Sequence, residues 1–179
     1  FRGINAVQEM LKLFPKSVTP QKAMAIGYTR RLPAMEYVVP ALLRGLKSSG
    51  LTLPWQQQMY SLLGSWNYQT DTGSIATTLA IETAEKMLPY INSTTSTLMN
   101  DAGFVGKLIT YSNQAPDSQL LRLLERTRLD LETRMGSWQV SWGSLNRYQR
   151  LTGRLTETYR DDAPSLPVPF AAATWGALP

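Results

Sequence analysis

The chain contains neither cysteine nor histidine. Without cysteine there is no disulfide and no thiolate nucleophile; without histidine, Ser-His-Asp and Cys-His catalysis and the usual zinc ligand sets all fall away. Lack of cysteine does not choose between cytosol and periplasm. No stretch approaches the ~18 uninterrupted apolar residues of a membrane span, and the start, FRGINAVQEM, lacks the basic-then-apolar layout of a signal peptide. Neither G-x-G-x-x-G nor G-x-x-x-x-G-K-[ST] occurs to cradle a phosphate. Residue 1 is Phe, so no N-terminal Ser, Thr or Cys stands ready to attack with its own α-amino group as base.

What remains is the material of one globular domain: 179 residues, 43% hydrophobic and 17% charged. The net charge of +5 is concentrated early, where Arg2, Lys12, Lys16, Lys22, Arg30, Arg31, Arg44 and Lys47 face only Glu9 and Glu36 in the first sixty residues. These cations fall at helical spacings among polar residues, with no aromatic stacking motif or DNA-reading pattern. They read as a solvated face, and no nucleic-acid partner is expected. Asp71, Asp101, Asp161 and Asp162 are the carboxylates to weigh as an acid/base pair. Each sits at a polar loop or cap position, where a structural role is usual.

Hydrophobic positions recur with a period near 3.6. Ile4, Val7, Met10, Leu11 and Phe14 form one helical face closed by Pro15. Thr19 caps a second helix with Pro20 at its first position, turning Ala23, Met24 and Ile26 inward. A third runs from Pro33 to about Lys47, kinked at Pro40, and buries Met35, Val38, Val39, Leu42, Leu43 and Leu46. Trp55, Met59, Leu62, Leu63 and Trp66 make the next stripe, after Pro54 and a cap at Thr52; Trp66 reads as a structural anchor against Leu79 and Ala80. Across the polar loop 67–73, Thr72 or Ser74 caps a helix striped by Ala76, Leu79, Ala80, Thr83, Ala84 and Met87. Residues 89–97 read as a polar break, 98–111 as a weaker helix, and 117–135 as a strong one. That last helix is striped by Leu120, Leu121, Leu124, Leu131 and Met135, pairs Asp130 with Arg134, and stops at Gly136. From Ser137 the character changes: Trp138, Val140 and Trp142 alternate as in a short strand, and a Pro- and Ala-rich tail follows. Such a tail either threads across another surface or docks on its own core.

Several of these pieces, in this order, resemble the penicillin acylase (penicillin amidase) family of N-terminal nucleophile hydrolases. LLGSWNYQTDTGSIATTLAIETAEKM is similar to a β-chain stretch, with Leu62, Leu63, Trp66, Ser74 and the turn from Ala76 to Leu79 carrying the match. Thr19 to Ala23 resembles the family's threonine-started helix, and VVPALLRGL (38–46) its proline-x-leucine-leucine helix. Trp142-Gly143-Ser144-Leu145-Asn146-Arg147 is similar to a tryptophan-glycine pair that precedes a histidine in many members. Asn67 stands where aspartate is common and Asn146 where histidine is common, which leaves substrate preference open.

The resemblance implies a mainly α, multi-helix segment of a larger α+β N-terminal nucleophile hydrolase fold, helical over 1–136, with a mixed or extended part over 137–179 that continues into a longer chain. It implies an amidohydrolase that cleaves an acyl amide with a nucleophile lying outside this chain; the rest of the acylase is the partner and a small acyl amide the substrate. Arg2 would correspond to an arginine that supports the oxyanion asparagine. No cofactor is expected in this segment, calcium belongs to the parent by resemblance, and the location implied is periplasmic or secreted. The rival reading is a stand-alone helical module that binds a partner protein.

Overall fold

The computed structural model describes residues 11–12, 19–99, 103–150 and 158–176, and these are mainly helical. The helix expected over Gly3–Phe14 lies largely outside the described residues; Leu11 and Lys12 are helical. The elements that follow are α1 (Pro20–Gly27), α2 (Met35–Ser48), α3 (Pro54–Gly64), α4 (Ile75–Ser93), α5 (Phe104–Gln114), α6 (Asp117–Met135) and the single turn α7 (Trp142–Leu145). Strands β1 (Arg147–Tyr148) and β2 (Leu166–Pro167) form a small antiparallel ribbon, and a 3-10 turn spans Ala173–Trp175.

Local sequence sets most of these ends. Thr19 accepts a bond from the Lys22 amide with Pro20 in the first turn, and Ser74 accepts from Thr77. Gly136 ends α6 in the left-handed conformation at φ 77°. At α3 the cap is Leu53 rather than Thr52, and the buried Gln56 side chain accepts from the Leu53 amide 3.0 Å away.

Helix α2 is the centre of the packing, lying against α3, α4, α5 and α6. Met35, Val38, Val39, Leu42 and Leu46 are fully buried, and Leu43 packs at the edge of the core. Gly45 faces α6 so closely that a Cβ there would stand 2.8 Å from Leu120 Cβ. Arg44 reaches the α5–α6 corner, where Nε donates to Asp117 at 2.6 Å and a terminal nitrogen donates to the Ser112 and Ala115 carbonyls. That arginine is half-buried structure, a correction to its reading as part of a solvated face.

Other expectations are also corrected. Helix α4 does not stop at Leu88 but continues through Pro89 to Ser93, because Ile91 extends the Ala84 and Met87 stripe and is wholly buried. Both helix-interior prolines, Pro40 and Pro89, are exposed, so the carbonyl that each deprives of its donor belongs to an exposed residue, Glu36 or Glu85. Helix α5 starts only at Phe104. Met24 and Met135 face outward at 56% and 42% exposure. The expected strand at Trp138–Trp142 is absent, although Trp138, Val140 and Trp142 are buried in alternation. Trp66 lies beyond the end of α3 and not on it.

Charges tie α4 to α6. Lys86 donates to Asp130 at 2.9 Å, and Arg134 bridges Asp130 at 3.0 Å and Glu82 at 2.7 Å. The Lys86 hydrogen bond, helped by Arg134, holds the Asp130 carboxyl below its ordinary value of 3.8. A carboxyl depressed in the folded state contributes stability that is full above its unfolded value and is lost as pH falls through the folded one. Acid unfolding below about pH 4 is therefore expected to be shallower for Asp130→Asn than for the natural chain, as read by helical circular dichroism. Equal slopes would show that this network does not couple to folding.

Candidate functional site

The tryptophan-glycine stretch lies where three parts of the chain meet. The Trp142 amide donates to Ser74 O at 3.1 Å and the Gly143 amide to Thr72 O at 2.7 Å, which fixes α7 on the loop before α4. A Cβ on Gly143 would stand 2.8 Å from Pro167 Cβ and 2.9 Å from Thr72 Cβ. Only glycine lets the loop and the returning β2 strand both close on this point.

On its other side the stretch holds the tail. Trp142 Nε1 donates to Phe170 O at 2.9 Å, and Asn146 Nδ2 donates to Val168 O at 2.9 Å and to Phe170 O at 2.6 Å. The Val168 amide returns a bond to Asn146 O, while Arg147 grips the Ser165 hydroxyl and carbonyl, both at 2.6 Å. Asn146 therefore uses both hydrogens of one amide nitrogen on two carbonyls. A neutral imidazole has a single N–H and could satisfy one of them at most.

Beyond this clamp the tail docks on the chain's own core. Trp175 is fully buried, its Nε1 donates to Glu85 at 2.7 Å, and its ring meets Phe104 edge-on at 6.0 Å. The Ala34 amide donates to the Trp175 carbonyl, so the tail closes over the start of α2. A groove of about 410 Å³ remains between α4 and the tail, with Ile81, Glu82, Glu85, Trp142 and Phe170 in its walls. Its carboxylates are engaged, Glu85 with Trp175 and Glu82 with Arg134.

A smaller groove of about 340 Å³ lies at the start of α4, between Leu62, Trp66 and Ser74. Trp66 is half-buried against the core, donates through Nε1 to Gln69 O at 2.9 Å, and meets Tyr68 edge-on. It pins the loop and at the same time forms a groove wall. Tyr68 sits at φ 62°, a left-handed conformation that costs a non-glycine residue about 1–2 kcal/mol. Its carbonyl is thereby aimed at the Leu32 amide, 2.8 Å away.

Among the weighed carboxylates, Asp71 accepts from the Gly73 amide and from Arg30, so it serves the turn. Asp162 is paired with Arg160, whose hydrogen bonds hold its carboxyl below the ordinary range. Asp161 is exposed. Asp101 and Arg2 lie outside the described residues. Sequence reasoning marked Trp142, Gly143 and Asn146 but missed Trp175 and Glu85. The only sign of Trp175 was a bulky aromatic inside a proline-rich tail.

The Ser141 and Ser144 hydroxyls lie 2.7 Å apart and bond each other, with no imidazole in the chain to activate either. No group of three or more acidic side chains placed to hold a metal ion occurs among the described residues. No helix of the described residues is long and apolar enough to cross a membrane. The stretch is thus a helical scaffold that shapes grooves and clamps its own tail. The chain belongs to the penicillin amidase family, which matches residues 3–171. No curated protein matches it.

Proposed function

We propose that this chain is a scaffold segment of a penicillin-acylase-like amidohydrolase that cleaves an acyl amide through an N-terminal nucleophile lying outside these 179 residues. The observation that carries the reading is the family match over residues 3–171 of a chain with no histidine or cysteine. In the parent enzyme the N-terminal hydroxyl oxygen attacks the amide carbonyl carbon and its proton passes to the free α-amino group. Donors at the oxyanion hole stabilise the tetrahedral intermediate, which expels the amine and leaves an acyl ester for water to hydrolyse.

The helices and clamped tail would form walls around that chemistry, and Arg2 would steady the oxyanion donors from a neighbouring position. The remaining acylase chain is the partner, calcium would be held outside the described residues, and the compartment is the periplasm or the exterior. The purified 179-residue chain is expected to show no turnover of phenylacetyl or fatty-acyl anilides. A longer chain that includes the N-terminal nucleophile is expected to cleave them and to lose that activity when the nucleophile is replaced by alanine. Robust turnover by the short chain would overturn the reading, as would a stop codon directly after Pro179.

A further inference from the structure

The α4–α6 face carries a third groove, of about 550 Å³, lined by Lys86, Pro89, Tyr90, Arg126, Leu129 and Asp130, none of them a residue of the tail clamp. Its charges are unequally committed. Lys86 and Asp130 neutralise one another across 2.9 Å, and Asp130 is shared with Arg134. Arg126 is exposed and has no hydrogen-bond or ion-pair partner among the described residues. A guanidinium left unpaired beside a satisfied ion pair gives the groove a surplus positive charge in the fork geometry that suits a carboxylate.

The rest of the lining is apolar and held in place. The Tyr90 ring stacks on Tyr111 at 6.0 Å with 14° between planes, and Tyr111 is buried, so this wall is braced from behind. Pro89 lacks an N–H, and Leu129 is 48% exposed, so both offer hydrocarbon to a ligand. We infer that this groove binds a small organic carboxylate with a planar apolar body, its anion on Arg126 and its ring against Tyr90 and Leu129. The site is independent of the amidase reading, because it needs neither the nucleophile nor the tail.

The test uses benzoate titrated into the whole chain and followed by amide NMR, with acetate and benzyl alcohol as controls that lack the ring or the charge. Benzoate is expected to saturate with a millimolar dissociation constant and to shift the amides of Lys86, Tyr90, Arg126 and Asp130. Acetate and benzyl alcohol are each expected to bind at least about tenfold more weakly. Arg126→Gln, at an exposed position where folding is not at stake, should weaken benzoate about tenfold or more, and Arg126→Lys should restore part of the loss. Tyr90→Leu should weaken benzoate severalfold while leaving acetate unchanged. Equal benzoate binding by Arg126→Gln would overturn the assignment, as would equal binding of benzyl alcohol or shifts confined to other residues.

Discussion

Trp175→Ala is expected to lower the unfolding free energy by about 3–5 kcal/mol, the usual cost of truncating a fully buried aromatic. That is a large share of the ~5–15 kcal/mol that holds a natural domain together. The indole is fully buried, contacts Phe104, and closes on the start of α2 through its carbonyl. Its N–H bond to Glu85 adds a smaller effect that can be separated. Glu85→Gln keeps an acceptor and should be nearly silent, whereas Glu85→Leu leaves a buried N–H unpaired at a cost of about 1–3 kcal/mol. Urea unfolding followed by tryptophan fluorescence measures all three. An unchanged midpoint for Trp175→Ala would mean that the tail does not dock on the core in solution.

Gly143→Val should be comparably severe. The atoms that crowd a Cβ at this position are Pro167 Cβ, Thr72 Cβ and the Thr72 carbonyl, none of them the far end of a flexible side chain. Overpacking of this kind costs about 1–3 kcal/mol, and the two branches of valine put the value at the upper end or above. The strain falls between the α4 loop and β2, so the tail should be released first. Limited proteolysis is expected to cut the variant between β1 and Trp175 much faster than the natural chain. Gly64→Ala is the matched control, since no atom lies within 4 Å of a Cβ there and alanine favours a helix. If Gly143→Val resists protease as well as Gly64→Ala does, the clamp is not what holds the tail.

The helices were legible because their signals are local. Thr19, Pro20 and Ser74 act through bonds within one turn, and the stripe of α2 is set by its own spacing. Pro89 misled for the opposite reason: its preference for ending a helix is local, while the burial of Ile91 two residues later is tertiary and prevails. Trp138, Val140 and Trp142 show a related limit. Alternation correctly marked which side chains face inward, but a strand also needs a ladder of paired backbone groups, and the bond from the Trp142 amide to Ser74 O is not continued into one. The ribbon that does form pairs Tyr148 with Leu166, both exposed, so no hydrophobic pattern announced it. At the candidate site, the choice between a free tail and a docked one depended on a slot built by α2, α4 and α5, which no window of sequence contains.

The route of that tail also sets a timetable for synthesis. Leu32, Ala34 and Met35, which line the start of the core, leave the ribosome well ahead of the indole that covers this end, that of Trp175. At about 5–20 residues per second, the intervening chain takes on the order of ten seconds to be made. Throughout that interval the nascent helices present an uncovered apolar slot, a surface for chaperones to shield and for neighbouring nascent chains to invade.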